Sequence, residues 1–365
     1  LWSIAQSRRT SIQAIVYLNT ISNPALLYPG TVLLIPAPPR PLIEVNAYTY
    51  QLNEQGAEEI RDVGGLLTYM SPFGYVMNED GTLNPIQDDA LIQAAFDTHT
   101  VPMMSITNFT YQDPGSDLAR TILTSSELQD RLIQEILTTM RSKGYRGLNV
   151  DFENVYPENR EDFNRFLART AARLHQEGYF VSSALAPKYS AGQKGLLYEA
   201  HDYEAHGRTL DFVVLMTYEW GYMYSPPRAI SPINEIRRVL DYAVTEIPRN
   251  KIFMGFQTYA RDWRIPHVQG AAAETFSPEE AVDRAIRYGA SIQYDEVAQS
   301  PFYRYTDSEG QGHEVWFEDA RSALAKFHLV KEYQLRGISY WVLGYPYPQN
   351  WALLRDQFRI KKQML

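Results

Sequence analysis

The 365-residue sequence contains no cysteine. Disulfide bonds, thiolate nucleophiles and zinc sites built on cysteine are therefore excluded. No apolar run approaches the roughly 18 to 20 residues that a membrane-spanning helix needs. A signal peptide, with its basic and apolar regions, is not recognisable at the start. Because the sequence begins inside a patterned segment, "LWSIAQ", we expect it to be a fragment of a longer protein.

Positive charge is also scarce. The net charge is −9 and the pI about 5.4, so no basic surface is expected that could bind nucleic acid. No P-loop, nucleophile elbow or dinucleotide fingerprint is present. The histidines of "HDYEAH", His201 and His206, would diverge on a helix, and we interpret them as surface residues. We therefore expect neither a metal ion nor a cofactor.

Proline divides the sequence into two parts. Pro36, Pro38, Pro39 and Pro41 lie within six residues, a density that disfavours helix and sheet and is typical of a stiff spacer. We predict a small N-terminal module over 1–35, a linker over 36–42 and a large domain over 43–365.

The large domain alternates short apolar runs with amphipathic helical segments. One such segment, "SSELQDRLIQEILTTMRSKG", can be capped by Ser125 or Ser126 and can end at Gly144. The alternation predicts an α/β fold, a (β/α)8 TIM barrel. The gap before the last strand is too long for one helix, so we predict a small α+β insertion at about 262–317. The predicted strands are 43–48, 65–70, 101–106, 147–152, 179–185, 211–216, 251–256 and 337–342.

The fourth predicted strand carries the clearest chemical signal, in "GLNVDFE". Side chains alternate along a strand, so Asn149, Asp151 and Glu153 share one face. In a barrel this face points inward, and the carboxyl ends of the strands form the site. Two neighbouring carboxylates raise each other's pKa, and a carboxyl that keeps its proton near neutrality can protonate a leaving glycosidic oxygen.

Two further strand ends carry polar and aromatic residues. "LMTYEWGY" places Met216, Tyr218 and Glu219 at the end of the sixth strand, and "SYWVLGY" places Trp341 at the end of the eighth. Each set alone is more typical of a core. Three sets at strand carboxyl ends indicate a sugar-sized pocket.

These residues resemble a known family. "RGLNVDFE" resembles the DGxDxDxE signature of glycoside hydrolase family 18, and "MTYE" resembles its Met-x-Tyr-Asp motif. "MGFQTYARDW" resembles the family's seventh-strand segment, and the likeness covers about residues 43–358. Residues 1–35 resemble a LysM glycan-binding module without its first strand. The combination is most similar to the spore cortical fragment-lytic enzymes, a group of N-acetylglucosaminidases.

The resemblance implies substrate-assisted, retaining hydrolysis, in which the 2-acetamido group of the substrate attacks the anomeric carbon and forms an oxazolinium. Glu153 is then the general acid and base. Asp151 orients the acetamido group, and Tyr218 binds its oxygen. Trp341 forms the floor of the −1 subsite. The other expected substrate-binding residues are Asn149, Met216, Glu219, Asn108, Tyr259 and Arg261.

Two residues depart from the family signature. Arg146 replaces its first Asp and Asn149 its second. Asn149 can donate a hydrogen bond but cannot take up charge, so we expect Asp151 to hold its proton less readily. Glu219 in place of Asp is a milder change. Because Glu153 is retained, we expect activity with an altered pH dependence.

The expected function is a retaining N-acetylglucosaminidase that cleaves β-1,4 bonds of peptidoglycan from spore cortex. The muramic δ-lactam of cortex lacks the acetyl group, so N-acetylglucosamine should occupy −1. A chitinase or chitooligosaccharide hydrolase is the near alternative, and a non-catalytic, lectin-like barrel is the other. The expected partner is a glycan that contains N-acetylglucosamine. We expect a monomer that works outside the cell, at a wall or spore.

Overall fold

The structure, a computed structural model, describes residues 1–8, 10–28, 30–36 and 40–363. It divides into two compact units, Leu1–Pro41 and Leu42–Leu365. Part of the predicted linker, including Pro38 and Pro39, lies outside the described residues.

The N-terminal unit contains the helices Trp2–Ser7 and Ile12–Leu18. Ser11 caps the second helix, because its hydroxyl accepts a hydrogen bond from the backbone N–H of Ala14 at 3.0 Å. The side chain of Asn19 then bonds both the N–H and the carbonyl of Leu34, each at 2.6 Å. This amide therefore ties the end of the second helix to the later extended segment.

The large unit is a closed parallel barrel. Each strand pairs with the next along the chain, and the last pairs with the first, so the barrel has no open edge. The predicted (β/α)8 fold is confirmed. The barrel strands, labelled β1 to β8, are Leu42–Thr49, Tyr69–Pro72, Val101–Thr107, Gly147–Asp151, Phe180–Leu185, Phe212–Leu215, Ile252–Gln257 and Gly337–Trp341.

Helices cover the outside of the barrel. Ser125 caps Ser126–Lys143 and Gly144, at φ 83°, ends it, as the sequence predicts. Among the described residues, no helix combines the length and the apolar character needed to cross a bilayer. The α-helices of this unit are Glu54–Val63, Asp89–Asp97, Ser116–Leu123, Ser126–Lys143, Arg160–His175, Tyr203–Thr209, Ile233–Glu246, Pro278–Arg287, Ala320–Glu332 and Pro348–Gln357. Short 3₁₀ turns occur at Gly64–Leu66, Pro157–Asn159 and Arg249–Lys251, and two-residue strands at Tyr75–Val76 and Arg359–Ile360.

The barrel interior is layered. Aromatic rings, among them Tyr69, Phe212 and Phe253, fill the end at which the strands begin. The next layer is polar, and its side chains bond one another. Asn46 donates to Ser339 at 2.9 Å, for example, and Asn149 donates to Ser182 at 3.0 Å. This layer lies directly beneath the strand ends and connects them through hydrogen bonds.

The predicted insertion between β7 and β8 is a five-stranded antiparallel sheet with the helix Pro278–Arg287. Tyr303 and Val315 are buried in a small core of its own. Its strands, in spatial order, are Glu274–Phe276, Ala260–Ile265, Gly312–Trp316, Ser300–Thr306 and Gln293–Asp295.

The second strand differs from its predicted position, 65–70. Gly64–Leu66 forms a 3₁₀ turn, and β2 begins at Tyr69. The side chain of Thr98 packs against Gly64 so closely that a Cβ there would lie 2.3 Å from the Thr98 hydroxyl oxygen. Gly64 therefore allows the turn to pack against Thr98, and the apolar run that suggested a strand is divided between turn and strand.

Candidate active site

A cavity of about 220 Å³ opens at the carboxyl ends of the barrel strands. Half of the residues that line it are aromatic, among them Phe73, Phe109 and Trp220. Six of the predicted site residues line this cavity: Asp151, Glu153, Met216, Tyr218, Glu219 and Trp341. The other four, Asn108, Asn149, Tyr259 and Arg261, lie behind its wall and are buried.

Asp151 and Glu153 come from the end of β4, as the alternation of "GLNVDFE" predicts. Phe152 points the other way and stacks on Phe163 and Phe166, with ring centroids 5.6 and 5.7 Å away. Both carboxyl groups therefore face the cavity. Asp151 is 5% exposed, and its Oδ1 atom is buried without a hydrogen-bond partner. Because the Asp151 carboxyl group lines the cavity, a ligand N–H that enters could donate a hydrogen bond to the carboxylate.

The two carboxyl groups hold protons unusually strongly. Burial, and then the charge of Glu153, raise the pKa of Asp151 well above its usual range. Burial, and then the charge of Glu219, raise the pKa of Glu153 from 4.5 to about 7. Glu153 can therefore act as a proton donor near neutral pH.

Asn149 belongs to the polar layer beneath the strand ends. Its amide nitrogen donates to Ser182, and its oxygen accepts from the Tyr48 hydroxyl at 2.9 Å. Its hydrogen-bond partners are therefore Tyr48 and Ser182 rather than Asp151. The expectation that Asp151 holds its proton less readily than it would beside an aspartate at position 149 stays a prediction. Asn149 is completely buried and does not line the cavity, and its predicted contact with the substrate stays a prediction.

Asn108 holds the backbone of Glu153. Its amide oxygen accepts from the N–H of Glu153 at 2.9 Å, and its amide nitrogen donates to the Glu153 carbonyl at 2.8 Å. The same nitrogen donates to the Gly115 carbonyl at 3.1 Å. Both ends of the Asn108 amide thus bond the backbone and fix Glu153, and the predicted contact of Asn108 with the substrate stays a prediction.

Tyr259 and Arg261 act on Glu219. The Tyr259 hydroxyl donates to one carboxylate oxygen of Glu219, and Arg261 donates to the other at 2.9 Å. Arg261 also donates to the Gly221 carbonyl at 2.6 Å. Glu219 has φ 69°, a left-handed conformation that is unfavourable for a residue with a side chain. Tyr259 and Arg261 thus bond Glu219, which itself faces the cavity, and their predicted contacts with the substrate stay predictions.

Trp341 stands between two other rings. Phe73 meets it edge-on at 4.8 Å between ring centroids, and Tyr48 does so at 5.5 Å. Sequence reasoning missed both neighbours. Tyr48 carries the same signal as β4, because Asn46 and Tyr48 alternate with apolar residues along β1. Phe73 lies after β2, in the region whose strand was misplaced.

The histidines of "HDYEAH" are not at the surface. His201 and His206 are each 1% exposed. The helix begins at Tyr203, so the prediction that placed both on one helix was wrong. Across the described parts of the chain, no group of three or more His, Asp or Glu residues has the arrangement of a metal site.

Comparison with known proteins agrees with this geometry. The profile of the glycosyl hydrolases family 18 matches residues 62–345, and that of the LysM domain matches residues 1–36. The cortical fragment-lytic enzyme of Bacillus subtilis (strain 168) is 47% identical over 333 residues, which cover 90% of this chain and 77% of that protein.

Solved structures show the same relationship. The crystal structure of the spore cortex-lytic enzyme SleL of Bacillus megaterium QM B1551 superposes with a TM-score of 0.89 at 40% identity, covering 100% of this chain and 85% of that one. A chitinase from Chromobacterium violaceum shares the fold, with a TM-score of 0.78 at 24% identity, covering 86% of this chain and 98% of that one.

Proposed function

Because the chain belongs to glycosyl hydrolase family 18, we propose that it is a retaining N-acetylglucosaminidase that cleaves β-1,4 bonds in spore-cortex peptidoglycan. The observation that carries the proposal is that the carboxyl groups of Asp151 and Glu153 line one cavity together with Tyr218 and Trp341, and that the pKa of Glu153 is raised to about 7. An N-acetyl group supplies an N–H that the Asp151 carboxylate can accept, and a sugar ring supplies the apolar face that stacks on Trp341.

In the proposed first step, Glu153 gives its proton to the glycosidic oxygen. The acetamido oxygen of the −1 sugar attacks the anomeric carbon as the glycosidic bond breaks, and a cyclic oxazolinium forms. Asp151 accepts a hydrogen bond from the acetamido N–H, and Tyr218 donates one to the acetamido oxygen. Glu153 then removes a proton from water, which opens the ring with net retention of configuration.

The raised pKa of Glu153 supports its role as the proton donor, whereas Asp151 has to give up its proton when the substrate binds. In the free cavity, burial disfavours the charged form of each group. A bound N-acetyl group hydrogen-bonds the carboxylate of Asp151, and the positive oxazolinium favours its charge further. Substrate binding thus lowers the pKa of Asp151 and leaves the proton on Glu153, where the leaving oxygen needs it.

The cortex as substrate is supported by the similarity to cortical fragment-lytic and spore cortex-lytic enzymes and by the N-terminal LysM match. LysM modules bind glycans that contain N-acetylglucosamine, which would hold this chain on a wall or spore outside the cell. Muramic δ-lactam lacks the assisting acetyl group, so N-acetylglucosamine is assigned to −1 and the muramic residue to +1.

The test is mass spectrometry of the products from cortex fragments, vegetative peptidoglycan and chitin oligomers, with Glu153→Gln as the inactive control. New reducing ends of N-acetylglucosamine from cortex fragments are expected. Turnover of chitin alone would make the protein a chitinase. A cortex fragment whose −1 acetyl group is replaced by a free amine should not react. Cleavage of that analogue would refute assistance by the acetamido group.

A further inference from the structure

The proposed acid lies just beyond the end of its strand. The pairing of β4 ends at Asp151 on the side of β3 and at Val150 on the side of β5. The backbone of Phe152 and Glu153 is therefore held by side chains from neighbouring segments. Asn108, after β3, supplies the bonds to Glu153.

His201 supplies the bond to Phe152. The backbone N–H of Ala186 donates to His201 Nδ1 at 2.8 Å, so this nitrogen is an acceptor and carries no proton. The proton lies on Nε2, which is 2.9 Å from the Phe152 carbonyl and donates to it. One neutral imidazole in one tautomer thus connects the segment after β5 to the segment after β4.

The surroundings keep this ring neutral and fixed. His201 is 1% exposed, and Lys188 donates to its backbone carbonyl at 2.9 Å. The rings of Phe163 and His206 lie 6.2 and 6.3 Å away. Burial, together with the charge of Lys188, lowers the pKa of His201 to about 4. The ring is therefore neutral across the pH range in which Glu153 changes its charge.

On the basis of the proposed function of Glu153 as general acid, we propose that His201 is a positioning residue for the glycosidase reaction. By holding the Phe152 carbonyl, it fixes the direction in which the next side chain leaves the backbone. Asn108 and His201 hold the segment from opposite sides, through the loops after β3 and β5. A catalytic group displaced by about 1 Å can lose roughly a hundredfold in rate, so this bond should matter more for turnover than for binding.

Two substitutions distinguish the two hydrogen bonds that the His201 ring makes, one to Ala186 and one to Phe152. In His201→Gln, the amide nitrogen reaches the position of Nε2 and can still donate to Phe152. In His201→Asn, the shorter side chain can still accept from Ala186 but does not reach Phe152. His206→Asn is the matched control, because His206 is equally buried and bonds Ser183 at 2.8 Å. All variants are made in the full chain and assayed on cortex fragments.

The expected result is a split between kcat and KM. We expect His201→Asn to lower kcat by about tenfold to a hundredfold with KM within about twofold, and His201→Gln to restore most of kcat. His206→Asn should leave kcat per folded molecule unchanged. Equal losses in the Asn and Gln variants at position 201, or a normal kcat in His201→Asn, would overturn the positioning role.

A measurement on the unaltered protein does not depend on variants that fold. Nitrogen-15 NMR of the histidine rings should show His201 as the Nε2–H tautomer, without titration between about pH 5 and 8. Titration in this range, or the other tautomer, would overturn the proposal. If the unaltered protein has the expected tautomer but releases no product from any glycan, the proposed function fails while the hydrogen bond stands.

Discussion

Replacing Glu153 with glutamine should abolish turnover and stabilise the protein at alkaline pH. The folded structure raises the pKa of this carboxyl from 4.5 to about 7. Since one pH unit corresponds to about 1.4 kcal/mol, the rise corresponds to about 3 kcal/mol of unfolding free energy. Water in the open cavity screens the charge, so this value is an upper limit.

The sign of this pH dependence follows from the pH at which the folded and the unfolded chain each lose the Glu153 proton. Below about pH 4.5 the folded and unfolded chains both keep the Glu153 carboxyl protonated, and this contribution to stability is fully present. Between pH 4.5 and about 7 the unfolded chain ionises first, so stability is lost as pH rises. Glutamine stays neutral throughout. The variant should therefore match the parent at pH 4 and exceed its unfolding free energy by up to about 3 kcal/mol at pH 8.5.

The assay is urea unfolding of both proteins, followed by tryptophan fluorescence at pH 4 and pH 8.5. Glu309→Gln, which removes an exposed carboxylate in a turn, controls for the loss of one charge. In parallel, kcat/KM of the parent should fall above about pH 7 as Glu153 loses its proton. A stability difference that is the same at both pH values, or a rate profile unrelated to the pH range of the stability change, would refute the assigned protonation.

Three further changes test the surroundings of the acid. Glu219→Gln removes a negative charge that raises the pKa of Glu153, so the alkaline limb of the kcat/KM profile should move to lower pH; an unmoved limb would contradict the coupling. Asn108→Ala removes two bonds to the Glu153 backbone and should lower kcat by about tenfold or more with little change in KM; a normal kcat would show that the backbone needs no such support. Asn149→Asp places a carboxyl group beneath Asp151, so the alkaline limb should move to higher pH by up to about one unit; a profile that matches the parent would exclude electrostatic coupling to that layer.

Much of the architecture was predictable, because it follows from the periodicity of apolar residues and from the order of strands and helices along the sequence. The alternation in "GLNVDFE" determines which side chains face the barrel interior, and the alternation of strands with helices indicates a closed barrel. The carboxyl ends of parallel strands meet at one face, so Asp151, Tyr218 and Trp341, which line one cavity, could be grouped from the sequence alone. The local caps at Ser125 and Gly144 were predictable for the same reason, since each depends on a few adjacent residues.

The contacts that surround the acid were not predictable, because they join residues far apart in sequence. Asn108 bonds the backbone of Glu153, 45 residues later in the sequence. Arg261 bonds the side chain of Glu219, 42 residues earlier. Neither residue type distinguishes a substrate contact from a supporting one. The prediction that the histidines of "HDYEAH" lie at the surface was wrong for a different reason. Its polar composition suggests an exposed helix, whereas the hydrogen bonds of His201 to Ala186 and Phe152 allow it to be buried.

The insertion contributes to the charge balance of the site as well as to its wall. Arg261 is the second residue of the first insertion strand, and Tyr259 immediately precedes that strand. Together they hold the carboxylate of Glu219, whose backbone lies in the left-handed region. Glu219 in turn raises the pKa of Glu153. A shortened insertion that lacks Arg261 would release Glu219 and change the protonation of the acid, so barrel and insertion form one electrostatic unit.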